Sequence, residues 1–156
     1  MTLRRIASTA GCLLVPLLLV ACSDQRASVD IDGSAHALSL IRITTWPWDK
    51  TAKYSVVAAR MPDCQRRHPM GEAPLEAKFE VYSPGNNAWI IKQGERMFVV
   101  ETRSCEGFAP LAKAPEGGLG ALLGNFAMRC DTLVFTPAPA AEAPPPVLAP
   151  AAKPAT

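Results

Sequence analysis

The sequence has few of the residues on which catalysis usually depends. It contains only two histidines in 156 residues. It has no HExxH or Gly-x-Ser-x-Gly motif, no CxxC pair and no glycine-rich phosphate loop. These absences argue against a zinc protease, a serine hydrolase, a thioredoxin-like oxidoreductase and a nucleotide-binding enzyme. The sequence therefore indicates no catalytic residue, no metal ligand and no cofactor.

Excess charge of one sign is also missing. The formal net charge is +2, and Arg4 and Arg5 account for it. Without these two residues the sixteen basic side chains become fourteen, against fourteen acidic ones. A nucleic-acid partner would call for a clustered basic face and a high isoelectric point in the domain. The charge balance therefore argues against a nucleic-acid partner.

The first twenty-two residues carry the clearest motif. Arg4 and Arg5 precede an apolar run at 6–20, which ends in Leu19-Val20-Ala21-Cys22. This arrangement resembles a bacterial lipoprotein signal peptide with its lipobox. The resemblance implies that Cys22 receives a diacylglycerol, that the chain is cut before it, and that the new amino group is acylated. It implies a lipid anchor on the periplasmic side of a bacterial membrane.

Two other interpretations of the same segment are open. A membrane-spanning helix needs about twenty apolar residues, whereas this run has about fifteen and contains Pro16. An ordinary secreted protein would leave Cys22 as a plain thiol. In the lipoprotein class, aspartate directly after the cysteine favours the inner membrane. Ser23 at that position favours the outer membrane, although Asp24 follows it.

Composition divides the chain into four parts. Residues 1–21 are the expected signal peptide, and residues 22–36 read as a lipidated tether with little fixed structure. Residues 37–136 are expected to form one β-rich periplasmic domain. Residues 137–156 are rich in proline and alanine, which favours an extended, disordered tail.

The domain is expected to be all-β. Short apolar, β-branched or aromatic runs predict about six strands, at 37–44, 53–61, 78–82, 88–92, 96–103 and 126–135. The turn residues at 83–87 and 93–95 make the third, fourth and fifth of these an antiparallel meander. Prolines and glycines predict a long loop at 64–74, and a loop with one helical turn within 107–124. The expected architecture is a small antiparallel β-sandwich or a partly open β-barrel.

Three cysteines follow Cys22, in a compartment where disulfides form. Cys64 and Cys105 each lie just past a predicted strand, among polar residues. Cys130 shares an alternating face with apolar residues and is expected to be buried. We therefore predict a Cys64–Cys105 disulfide, with Cys105–Cys130 as the competing pair. A bridge between two chains through Cys130 is a further alternative.

Two local clusters are candidate binding sites. Trp46 and Trp48 flank a proline and could anchor a partner or stack on sugar rings, or could close one end of the core. Arg66 and Arg67 could pair with carboxylates or an anionic sugar, or could belong to a solvated loop.

These features predict a non-catalytic lipoprotein that binds or helps to assemble another component of the cell envelope. The expected partner is an envelope protein or a glycan. The alternative is an envelope enzyme that acts on peptidoglycan or carbohydrate through two carboxylates. Its candidates are Glu72, Glu76, Glu80 and Glu101.

Overall fold

The computed structural model describes residues 23–139, which form a β-sandwich. Ten strands lie in two antiparallel sheets that do not close into a barrel. The predicted all-β class is therefore confirmed. The expected signal peptide at 1–21, Cys22 and residues 140–156 of the expected tail lie outside the described residues.

The first sheet has the strand order β1-β2-β3-β4 and the second has the order β10-β9-β5-β6-β7-β8. In chain order the strands are β1 Ser23–Asp30, β2 His36–Thr44, β3 Thr51–Arg60, β4 Cys64–Pro74, β5 Phe79–Gly85, β6 Ala88–Gln93, β7 Arg96–Glu101, β8 Phe108–Leu111, β9 Ala121–Arg129 and β10 Thr132–Pro137. The predicted meander is confirmed, because β5, β6 and β7 are hairpin neighbours.

The core lies between the inner faces of the two sheets. Alternate residues of the central strands point inward, as the period of a strand requires. Tyr54 of β3 packs on Phe79 of β5 with ring centroids 4.6 Å apart, and neither side chain is more than 1% exposed. The Tyr54 hydroxyl donates to the carbonyls of Pro74 and Leu75. This residue therefore joins the sheets without leaving a buried polar atom unpaired.

A disulfide joins the sheets on the side where β4 and β8 are the edge strands. The predicted Cys64–Cys105 bridge is present and links the start of β4 to the segment between β7 and β8. Nearby, the buried His68 donates from Nε2 to the carbonyl of Cys105 at 2.8 Å. The His68 ring also stacks on Phe108, with centroids 4.9 Å apart. One covalent and two non-covalent links therefore hold this side together.

On the opposite side, β1 faces β10, and one side chain bridges them. Gln25 donates from Nε2 to the carbonyl of Asp131 and accepts at Oε1 from the amide of Leu133. Beyond this bridge the two strands run side by side in the same direction, and a groove of about 650 Å³ opens between 27–30 and 134–137. The start of β1 and the end of β10 therefore lie at opposite ends of the sandwich.

The segment expected to be a lipidated tether is mostly ordered strand. Residues 23–30 pair with β2 along their whole length, from Ser23 opposite Thr44 to Asp30 opposite Ala37. Only Ala27 is buried, and Val29 is partly buried, so the apolar signal of this edge strand is weak. Within the described residues, the sandwich therefore includes the strand at 23–30, which the sequence analysis had placed in the tether.

The segment at 64–74, expected to be a loop, is the longest strand, β4. Proline lacks a ladder donor, so it is tolerated only at edges, ends and bulges. Strand β4 is an edge strand, Pro74 ends it, and Pro69 lies at a register shift opposite Ser55. The edge position therefore explains why two prolines did not prevent a strand.

The single closing strand expected at 126–135 is instead a hairpin of β9 and β10. Cys130 and Asp131 form its turn, with φ of 46° and 61°. Cys130 is exposed, so its expected burial is wrong. The segment at 107–124 contains β8 and the first residues of β9, and no helical turn lies at 119–123. These additions, with β1 and β4, raise the count from about six strands to ten.

The Cys64–Cys105 bridge closes a loop with a sequence separation of 41. We expect the Cys64→Ala/Cys105→Ala variant to lose about 4 kcal/mol in the free energy of unfolding, because the unfolded chain regains the entropy of that loop. Urea denaturation of the full chain measures this loss. Cys130→Ser is the matched control and should stay close to the wild type, since this thiol is exposed. Equal losses in both variants would contradict the prediction.

Candidate binding surfaces

Trp46 and Trp48 form an exposed aromatic pair at the tip of the β2–β3 hairpin. Their side chains are 52% and 73% exposed. The rings stack with centroids 5.3 Å apart and an interplanar angle of 10°. Asp49 shapes the turn, because its Oδ2 accepts from the Trp46 amide and its own amide donates to the Trp46 carbonyl. The alternative that these tryptophans close the core is therefore wrong.

The tryptophan pair lies beside the first described residue of the chain. Ser23 is the register partner of Thr44, only two residues before Trp46. Directly opposed Cα atoms in an antiparallel pair are about 5 Å apart. The aromatic tip and the start of β1 therefore share one end of the sandwich, which we call the tryptophan end.

Arg66 and Arg67 lie towards the other end of the same sheet. They are exposed residues of β4, opposite Ala58 and Val57 of β3. Thr51, which follows the tryptophan hairpin, is six residues from Val57 on β3, or about 20 Å at the rise of a strand. The structure therefore separates the two predicted binding clusters.

The two arginines differ in their surroundings. Arg66 pairs with Glu106 at 3.0 Å, but both side chains are more than half exposed, so the pair adds little stability. Arg67 makes no ion pair with a carboxylate of residues 23–139. We call the region that holds Arg66, Arg67 and the Cys64–Cys105 bridge the disulfide end.

A buried polar network occupies the disulfide end. The hydroxyl of Thr102, which is fully buried, accepts from Trp89 Nε1 at 3.0 Å and donates to the carbonyl of Asn87 at 3.2 Å. His36 Nε2 lies 2.8 Å from the same hydroxyl and therefore acts as a donor. Arg60 donates to the Thr102 carbonyl and to Asn87 Oδ1. These hydrogen bonds connect neighbouring turns, so the side chains that make them have a structural role.

Two of the carboxylates considered for an enzyme are engaged in local hydrogen bonds. Hydrogen bonds from Lys78 and Tyr82 hold the pKa of Glu80 below its usual value. Burial tends to raise the pKa of Glu101, but hydrogen bonds from the Ser104 hydroxyl and from nearby backbone amides outweigh it, and this pKa is also lowered. A general acid needs a raised pKa. The pKa values of Glu80 and Glu101 are therefore shifted in the direction opposite to the one that a general acid requires.

Sequence analysis missed an apolar row on the outer face of the six-stranded sheet. Strand register aligns five residues on the side away from the core across β9, β5, β6, β7 and β8, namely Leu122, Tyr82, Ile90, Val99 and Ala109. Leu122 is 44% exposed, but Ile90 at the centre of the row is only 1% exposed, so the row is not a continuous exposed patch. The signal was present in the runs Trp89-Ile90-Ile91 and Phe98-Val99-Val100, which are apolar at successive positions. Such runs leave apolar side chains on both faces of a sheet.

No group of three or more His, Cys, Asp and Glu side chains is arranged to hold a metal ion within residues 23–139. The same residues contain no helix that is long and apolar enough to cross a membrane. No family model, curated protein or solved structure matches the chain. The described residues therefore form a β-sandwich domain, and only its own residues indicate its role.

The network at the disulfide end should make stability depend on the charge of His36. Burial, followed by the nearby Arg60 guanidinium, lowers the pKa of His36 below 6.5, although Asp32 acts in the opposite direction. The unfolded chain therefore binds more protons than the folded one just below that pH. Stability should be complete above about pH 6.5 and should fall as the pH drops towards the lowered pKa.

Urea denaturation between about pH 5 and pH 7 measures this dependence. His36→Gln, which cannot titrate, should flatten it. The lowered pKa values of Glu80 and Glu101 act below their usual value of 4.5 and so outside this range. An unchanged slope in His36→Gln would show that another group is responsible.

Proposed function

We propose that this protein is a lipid-anchored periplasmic lipoprotein that binds or helps to assemble another component of the cell envelope, at the outer rather than the inner membrane. Its domain is non-catalytic in this proposal. The observation that carries the proposal is the pairing of Ser23 with Thr44 at the end of β2. Ser23, which directly follows the predicted lipid attachment at Cys22, already belongs to a strand, so lipidation at Cys22 would hold this end of the sandwich close to the membrane.

The opposite end would then be displayed away from the membrane. Strand β1 has eight residues, Ser23–Asp30, and its first and last Cα atoms are about 23 Å apart. Pro137, where β10 ends, lines the same groove as Asp30 and leads into the proline-rich segment. The exposed Arg66 and Arg67 also lie towards this end. Guanidinium groups suit the carboxylates of a partner protein or of an anionic glycan.

One observation supports binding over catalysis. Hydrogen bonds lower the pKa values of Glu80 and Glu101, two of the four carboxylates considered for the alternative enzyme, whereas that enzyme would need one carboxyl group of its pair with a raised pKa.

The anchor is tested first. We expect globomycin, which inhibits the lipoprotein signal peptidase, to leave an unprocessed precursor that migrates more slowly on a gel. Labelled palmitate should be incorporated into the wild-type chain and not into Cys22→Ser. Unchanged mobility together with unlabelled wild-type protein would overturn the lipid anchor.

The displayed surface is tested by photo-crosslinking in the native cells. A photoreactive residue at the exposed Gln65 of β4, on the same strand face as Arg67, should give one envelope product. We expect Arg66→Glu/Arg67→Glu to abolish this product, because charge reversal repels an anionic partner. A product that a muramidase releases would identify the partner as a glycan.

The matched control reverses two charges near the tryptophan end. Lys50→Glu/Lys53→Glu should leave the Gln65 product intact, because Lys53 lies about 20 Å along β3 from Ala59, the register partner of Gln65, and Lys50 lies further away. Melting curves of the full chain verify that each variant folds. Loss of the product in both variants, or its survival in both, would contradict a specific contact at Arg66 and Arg67.

A further inference from the structure

Trp46 and Trp48 are exposed, and their position on the sandwich restricts which surfaces they can contact. Register places Thr44 opposite Ser23, and Trp46 follows two residues later. The pair is therefore within one hairpin turn of the residue that follows Cys22. Ser23 is itself paired with Thr44 in the β1–β2 ladder, so its distance from the hairpin is set by strand pairing.

Lipidation at Cys22 would hold Ser23 at the level of the lipid headgroups. The end of β2 pairs with Ser23, so the hairpin tip would be held at the same level. Tryptophan favours this zone of a bilayer, because its large ring is apolar and its N–H remains able to donate a hydrogen bond. The acidic side chain of the tip is already engaged, since Asp49 accepts from the Trp46 amide at 2.9 Å.

We propose that Trp46 and Trp48 insert into the headgroup region of the leaflet that holds the lipid of Cys22, and so form a second membrane contact. This inference rests on the lipid anchor of the proposed function. Two membrane contacts at one end of a rigid sandwich fix the tilt of the domain relative to the membrane. A lipid anchor alone does not fix that tilt. Arg66 and Arg67 then point away from the membrane.

The test uses the fluorescence of the full lipidated chain in vesicles of phosphatidylethanolamine and phosphatidylglycerol. Phospholipids brominated on the acyl chain near the glycerol quench tryptophan in the membrane, and iodide quenches tryptophan in water. We expect wild-type emission to be quenched by brominated lipid and protected from iodide. Trp89 is 7% exposed and is an internal reference that neither quencher reaches.

Two variants serve as controls. Trp46→Phe/Trp48→Phe retains only Trp89, and its emission should become insensitive to both quenchers. Adding Met61→Trp to that variant places one tryptophan at the disulfide end, where Met61 is 54% exposed, close to the 52% of Trp46. This tryptophan should be quenched by iodide and not by brominated lipid. Melting curves followed by far-ultraviolet circular dichroism show that each variant is folded.

Flotation of the vesicles separates failure of the inference from failure of the anchor. If the wild-type chain floats with the vesicles but its tryptophans remain open to iodide and insensitive to bromine, the membrane contact is wrong and the anchor stands. That result would return the tryptophan pair to the role of a site for a soluble partner. If the chain does not float, the anchor and the inference both fail.

Discussion

Pairing of β1 with β2 is the constraint that fixes which end of the sandwich lies beside the first described residue. Eight consecutive residues, from Ser23 to Asp30, align with β2 without a register shift. This ladder places the first described residue beside the end of β2, and so beside the aromatic tip that follows it. A flexible segment of the same length would not fix which end of the sandwich lies beside Ser23. The paired strand places Ser23 at the tryptophan end and Asp30 towards the disulfide end.

The disulfide end is built differently from the tryptophan end, and the contrast has a physical basis. Three sets of links connect the turns near Cys105. They are the disulfide to Cys64, the hydrogen bond from His68 and the network around Thr102. Buried polar groups that are fully hydrogen-bonded specify one arrangement, because leaving any of them unpaired is costly. A rigid surface loses little conformational entropy on binding. If Arg66 and Arg67 bind a partner as proposed, the denser covalent and polar links of this end would therefore favour that binding.

Local rules predicted the centre of the fold and failed at its edges. The meander β5–β7 was predictable because its strands are strongly apolar and its turns contain glycine, asparagine or proline. The Cys64–Cys105 pairing followed from polar surroundings on both sides. Strands β1 and β4 were missed because an edge strand needs only one weakly apolar face and tolerates proline. The turn at Cys130 and Asp131 was missed because it lacks the Asn-Gly or Asp-Gly signature of such hairpins.

The candidate surfaces show the same division between local and long-range information. Sequence analysis identified Trp46, Trp48, Arg66 and Arg67 from their residue types, but it could not place them relative to each other or to Cys22. Those relations depend on strand register, in which Thr44 meets Ser23 and Val57 meets Arg67. In the proposed arrangement, register also decides what each cluster could contact while the chain is anchored. The aromatic pair would lie close enough to the anchor to reach the same membrane, whereas the arginines, about 20 Å further along the sheet, would face a different environment. A sandwich anchored in this way would keep attachment and recognition on separate ends, so that neither contact obstructs the other.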